Sequence, residues 1–194
     1  LRSWRHPDLD DRLGRRRMIA EARLMVRLYK SGLNISVLYD CDIHEQKLVM
    51  SNVPGLPLIE LLNDRSINDD IIMQHLRSAG RSIRMLHRQA IVHGDLSTNN
   101  IMITPDGDAV LIDFGLAKIE FETELYGIDL HVLFEILGAS HPHREGAMEA
   151  ILEGYSLCEQ ELGPAETTPG GDPVSMEDVL GRFELIRTRV LYHG

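Results

Sequence analysis

Lysine is scarce in this chain. It occurs at positions 30, 47 and 118 and nowhere else. No glycine-rich phosphate loop and no strand bearing a lysine stands at the start of the chain, so the usual cradle for nucleotide phosphates is missing from the sequence as it stands. Cysteine occurs twice, as Cys41 and Cys158, without metal-ligand spacing. That excludes a zinc scaffold and a disulfide framework and predicts reduced thiols in a cytoplasmic or nuclear protein. No apolar run approaches the ~20 residues that span a bilayer, and no secretory leader is visible, so no membrane partner is expected. Excess basic charge is also absent. The net charge is −10 and the pI ≈ 5.3, which argues against a chain-wide nucleic-acid surface. A local basic patch remains at Arg12, Arg15, Arg16 and Arg17, beside Arg2 and Arg5; a solvated helix face is the plain alternative. The chain opens on Leu1 rather than Met and is expected to be a piece of a longer one.

What is present suffices for a core. Of 194 residues, 43% are apolar, enough for one compact domain or a small two-lobed one. Residues 7–30 read as a helix, opened by Pro7 and by Asp8, Asp10 and Asp11, with Leu9, Leu13, Ile19, Leu24 and Leu28 on its apolar face and Gly32 as its stop. Strands are predicted near 36–40 and 46–50. Met50 to Gly55 reads as a hinge, because Pro54 and Gly55 end the strand. A short helix follows over 56–63 and a long amphipathic one over 67–88, whose His75 and His87 are read as structural or exposed. Helices are predicted at 128–137, 144–160 and 175–190. The Pro- and Gly-rich stretch 163–174 is expected to be a mobile loop.

The chemistry lies in two short motifs, His93-Gly94-Asp95-Leu96-Ser97-Thr98-Asn99-Asn100 and Asp113-Phe114-Gly115. Between them, Ile101–Ile103 and Ala109–Ile112 read as strands joined by the turn Thr104-Pro105-Asp106-Gly107-Asp108. Asn100 and Asp113 then stand at opposite ends of one hairpin and can converge on a single ion. A carboxylate and a side-chain carbonyl suit Mg²⁺, which takes oxygen ligands and keeps several waters. Asp95, five residues before Asn100, is placed to accept a proton from an attacking hydroxyl or to orient a water. This is the spacing of phosphoryl transfer from ATP in protein kinases, with Gly94 where those have arginine. Either motif alone is weak; the pair with a hairpin between them is specific.

Fifteen residues separate Asp113 from Asp129, too few for an activation loop with its Ala-Pro-Glu motif. The chain resembles the small atypical kinases of the KEOPS (EKC) complex, the PRPK type of RIO-like lineage. The resemblance rests on Trp4-Arg5-His6-Pro7, Leu13 to Arg17 with Glu21-Ala22-Arg23, the His93–Asn100 motif, Ile112 to Leu116, Asp129 to Leu133 and Ser140-His141-Pro142. It implies an α+β, protein-kinase-like fold with a truncated N-lobe over 1–53 and a mainly helical small C-lobe over 54–194. It implies Asp95 as the catalytic acid–base residue and Asn100 and Asp113 as Mg²⁺ ligands. Glu21, Met50, Ser51, Val53, Met102 and Ile112 become the ATP-contacting set, with Glu21 the partner of an upstream lysine. Asp129 would bond the backbone of the catalytic loop, or simply cap its helix. The implied activities are Ser/Thr phosphorylation and ATP hydrolysis in support of a threonylcarbamoyl-transferase subunit that modifies tRNA. That subunit and a small regulatory subunit are the implied partners, with tRNA engaged indirectly. The C-terminal Arg187-Thr188-Arg189 lacks the family's longer basic tail. Two other readings stand beside this one: a small-molecule phosphotransferase of the aminoglycoside or choline kinase type, and a docking module that only scaffolds its complex.

Overall fold

A computed structural model describes residues 7–191, with side chains described for 11–189. The order is α1 (Pro7–Lys30), β1 (Leu38–Asp42), β2 (Lys47–Met50), β3 (Leu56–Pro57), α2 (Leu58–Asn63), α3 (Asp69–His87), β4 (Ile91–Val92), β5 (Ile101–Ile103), β6 (Ala109–Leu111), β7 (Lys118–Ile119), α4 (Thr123–Ser140), α5 (Ala147–Leu162) and α6 (Met176–Leu191). This is the α+β class expected. The strands form three small antiparallel sheets, β1-β2, β3-β5-β6 and β4-β7. Trp4, Arg5 and His6, and the Arg2 and Arg5 flank of the basic patch, lie outside the described residues.

The first helix runs where its proline and acids predict. Its buried side is Met18, Ala22, Leu24, Met25 and Leu28, whereas Ile19, assigned to the apolar face, is only half-buried. The side chain of Leu9 is outside the described set. The β1-β2 hairpin turns at residues 43–46. The Asp42 carboxylate accepts the N–H groups of His44 and Glu45, a local Asx turn that replaces ladder bonds.

The core of the helical part is α3 against α5. Two glycines allow the contact. A Cβ at Gly80 would strike the Ile151 carbonyl, and one at Gly154 would strike the Arg77 carbonyl. The helix backbones therefore meet directly, with Leu76, Ile83, Ile151 and Tyr155 packed around them. Asn68 caps α3 by accepting the Asp70 N–H at 2.7 Å, the standard use of asparagine at this position.

Two predicted helix starts need correction. Leu56 and Pro57 pair with Ile103 and Met102 as a strand, and the helix starts at Leu58. The helix predicted over 128–137 begins five residues earlier, at Thr123. Gly127 does not delimit it: the glycine sits where the Arg182 and Ile186 side chains of α6 press against the helix. The segment 163–174 is a loop, as expected, with one ordered turn in it. Thr168 and Gly171 exchange backbone bonds in a tight turn, and Gly170 and Gly171 lie against the ring of Phe121.

Candidate active site

The site is built on the β5-β6 hairpin. Ile101 pairs with Leu111 and Ile103 with Ala109, so Asn100 and Ile112 flank the open end, where the Ile112 N–H donates to the Asn100 carbonyl at 3.0 Å. Asp113 leaves that end with φ 62°, a left-handed conformation that costs a non-glycine residue about 1–3 kcal/mol and clusters at functional sites. The Gly115 N–H reaches its Oδ1 at 3.2 Å.

Asp95 and Asn100 are brought together as their spacing predicts. The Asn100 Nδ2 donates to the Asp95 carbonyl at 2.8 Å and to its Oδ2 at 3.2 Å. The amide is thereby oriented, and its Oδ1 is left for another partner. The donor set available to a cation is thus the Asn100 carbonyl oxygen and the Asp113 carboxylate. Among the described residues no group of three or more His, Cys, Asp or Glu stands together. Two oxygen donors suit a hydrated Mg²⁺ that takes its remaining ligands from waters and phosphates, and do not suit a closed metal cage.

The loop carrying Asp95 is held from below by Asp129. Its Oδ2 accepts the His93 N–H at 2.6 Å and its Oδ1 the Gly94 N–H at 2.9 Å. Asp129 therefore bonds the catalytic loop and is not a helix cap: it lies in the second turn of α4, whose N-cap position is Glu122. Burial works against its charge, but contacts from His87 and the two N–H groups keep its pKa below the ordinary carboxylate value. Gly94 is required here. Its φ is +78° and an added Cβ would lie 2.6 Å from the Leu116 carbonyl. His93 is fully buried, with Nε2 3.1 Å from the Ile112 carbonyl and its ring tilted against Phe114. Burial lowers its pKa, so it is a neutral strut and not a proton carrier.

Beside these groups lies a cleft of ≈ 530 Å³. Glu21, Met50, Ser51, Val53, Met102 and Ile112 all line it, together with Met25, Ser36, Asn52, Asp113 and Phe114. The size and the mostly apolar walls suit a flat ring system with a polar end. Glu21 projects from α1 into the cleft. Its pKa is raised, first by burial and then by the nearby Asp113 carboxylate, with the Phe114 N–H partly offsetting both. Among the described residues no basic side chain forms an ion pair with it. Ser51 is committed within its own lobe: its N–H donates to the Val37 carbonyl, and its Oγ accepts the Val37 N–H, both at 2.8 Å.

Sequence reasoning missed the scaffold behind the site. Arg84 is fully buried, with Nε 2.9 Å from Glu159 and a guanidinium nitrogen 3.3 Å from the Tyr155 hydroxyl. His87, taken as structural or exposed, is structural: Nδ1 stands 2.9 Å from the same hydroxyl. Arg144 is another buried cation, donating to the carbonyls of Leu62 and Asp64. An arginine at a helical spacing among apolar residues was the available signal, but its partners are 71 or more residues away in sequence.

The family model for the protein kinase domain matches residues 6–127. The EKC/KEOPS complex subunit Tp53rkb of Mus musculus is 32% identical over 170 residues, covering 84% of this chain and 70% of the mouse protein. The EKC/KEOPS complex subunit BUD32 of Gibberella zeae is 32% identical over 169 residues, with 78% of this chain and 64% of that protein covered. A probable bifunctional tRNA threonylcarbamoyladenosine biosynthesis protein of Methanosarcina mazei is 32% identical over 191 residues, 98% of this chain. The chain spans only 30% of that last protein. With the paired motifs, the hairpin between them and the Asp129 anchor in place, the chain belongs to the Bud32/PRPK-type branch of the protein-kinase family.

Proposed function

We propose that this chain forms most of an ATP-dependent phosphotransferase, a Ser/Thr protein kinase with ATPase activity, that supports threonylcarbamoyladenosine modification of tRNA within a KEOPS-type assembly. Residues 1–53 form part of its N-lobe and 54–194 its C-lobe. The observation that carries the reading is the Asp95–Asn100 contact at one end of the hairpin whose other end leads to Asp113, in a cleft lined also by Glu21 and the hinge. The kinase-domain match and the names of the relatives support it.

Mg-ATP, when bound, supplies the phosphoryl group and the charge neutralisation that such a transfer needs. The residues of the chain do the positioning. Met25, Met102 and Ile112 enclose the base with apolar surface. Asn52 and Val53 line the same cleft and would offer backbone groups to the edge of the base, since the Ser51 N–H is already spent on Val37. Asn100 and Asp113 would hold the cation. Asp95 is steadied by Asn100 and orients the acceptor, a hydroxyl or a water, accepting its proton as the bond forms. Glu21 awaits a lysine that none of positions 30, 47 and 118 supplies. The transferase subunit and a small regulatory subunit are the proposed partners, tRNA is met through them, and the proposed compartments are cytoplasm and nucleus. No helix among the described residues is long and apolar enough to cross a membrane.

The test is Asp113→Ala in the full-length protein. Loss of Mg-ATP turnover with retained folding is expected. Full turnover in that variant would remove the metal-ligand assignment. A parallel assay with aminoglycosides and choline as acceptors separates the small-molecule alternative.

A further inference from the structure

Behind the catalytic loop runs a line of buried polar groups that the transfer chemistry does not use. It starts at Glu159 on α5, which Arg84 Nε meets at 2.9 Å. Arg84 Nη1 then donates to the Tyr155 hydroxyl at 3.3 Å. That hydroxyl lies 2.9 Å from His87 Nδ1. The opposite ring nitrogen, Nε2, stands 3.5 Å from Asp129 Oδ2. Asp129 in turn holds the N–H groups of His93 and Gly94, immediately before Asp95. Arg84, His87 and Tyr155 are each 0% exposed, so water cannot serve as an alternative partner for any of them.

The direction of the donors is fixed by chemistry. Arginine only donates, so the hydroxyl oxygen of Tyr155 accepts from Arg84 and its proton is free to point at His87. Asp129 accepts two N–H groups and behaves as a carboxylate, an acceptor only. A neutral imidazole has one N–H and one lone pair. With a carboxylate on the Nε2 side and a hydroxyl proton on the Nδ1 side, one tautomer fits: N–H on Nε2 and lone pair on Nδ1. The reverse tautomer turns a lone pair on the carboxylate and an N–H on a hydroxyl already committed to donate. The 3.5 Å separation is longer than an aligned hydrogen bond, so Nε2–H aids Asp129 electrostatically while the two backbone N–H groups supply the strong bonds.

We infer that Tyr155 is a positioning residue for the catalytic loop, acting by fixing the His87 tautomer that steadies Asp129 and, through it, the His93-Gly94 backbone ahead of Asp95. This rests on the proposed phosphotransferase reading only for its catalytic consequence; the relay itself is a statement about geometry. A ring nitrogen oriented by the group on its far side is a general device for tuning an imidazole and what it touches.

The test is Tyr155→Phe, which keeps the ring and removes one oxygen. Imidazole ¹⁵N–¹H correlation spectra of the full-length protein are expected to show His87 as the neutral Nε2–H tautomer, and a tautomer mixture in the variant. Amide exchange at His93 and Gly94 is expected to quicken about tenfold, while Ile101 and Leu111 in the hairpin keep their protection. A merely structural role would loosen all four together. Turnover number should fall on the order of tenfold with the Michaelis constant for ATP unchanged, the size typical of losing an outer partner. An Nδ1–H tautomer in the parent protein, or unchanged exchange at His93 and Gly94 in the variant, would overturn the relay. Both NMR readings stand without turnover, so a protein that hydrolyses no ATP would count against the proposed function alone.

Discussion

The side-chain amide of Asn100 donates to both the main-chain carbonyl and the carboxylate of Asp95, at 2.8 and 3.2 Å. One residue thus steadies the proposed acid–base group and, by the orientation this imposes, leaves its own oxygen for the proposed cation. Asn100→Ala should remove both effects at once. Positioned acid–base groups contribute typically 10²–10⁴-fold, so a loss of about a hundredfold or more in turnover number is expected. Asn100→Asp restores an oxygen ligand but sets a like charge beside Asp95, and should rescue metal affinity better than turnover. Steady-state kinetics across a Mg²⁺ titration separate the two.

Gly154→Ala is predicted to be more damaging than a methyl group suggests. Its Cβ would meet the Arg77 backbone, which cannot rotate away as a side chain could. Overpacking a tight core costs about 1–3 kcal/mol, and a backbone-to-backbone contact belongs at the upper end. Urea unfolding of the variant should show a midpoint shift of that size, and Gly80→Ala, on the facing helix, a similar one. By contrast, Gly138→Ala in α4 meets nothing within 4 Å and should be neutral or stabilising.

These glycines also mark what could be read from the sequence and what could not. The Asp95–Asn100 contact and the hairpin from Asn100 to Asp113 were legible because the relationship is local. The first helix, with its proline and aspartates, was legible for the same reason. Gly80, Gly127 and Gly154 were not, since each makes room for a different helix and looks in sequence like a flaw or a boundary. The α4 start was misplaced because the apolar run begins at Ile128, whereas the helix already runs through Gly127, an approach point for Arg182 and Ile186. Asp129 was consequently offered as a cap, although its loop-bonding role was also foreseen. The buried Arg84 cluster was invisible, because nothing in a single sequence tells a surface arginine from one whose carboxylate lies 75 residues on.

That cluster yields a contrast between two ion pairs on the same helix face. Arg84–Glu159 has side-chain exposures of 0% and 13%, and Arg77–Glu153 of 40% and 50%. Glu159→Ala strands a buried guanidinium, a change that costs about 3–5 kcal/mol; the low end applies because Arg84 keeps Tyr155 and the Val174 carbonyl. Arg88, which shares Glu159 at 2.6 Å, loses its anchor in the same variant. Glu153→Ala breaks an exposed pair whose worth is about 0–1 kcal/mol. Denaturant titrations of the two variants should therefore differ several-fold in their effect, although both remove one salt bridge from α5.

The protein should lose stability between neutral and mildly acidic pH, well before its carboxylates titrate. His87 and His93 are buried, and burial lowers the pKa of each below the ordinary histidine value of 6.5. For His87 the Asp129 carboxylate pulls the other way, while Arg84 and His93 add to the effect of burial. A group with a depressed folded-state pKa binds its proton more readily in the unfolded chain. The stability it contributes is complete above 6.5 and is lost as the pH falls through the lower, folded value. The urea midpoint is thus expected to hold steady from pH 8 to 7 and to decline toward pH 5. Asp129 adds a second decline only below its ordinary value of 3.8, because its pKa too is depressed in the fold. A buried-histidine origin requires that His87→Gln reduce this decline even as it lowers the midpoint at pH 8.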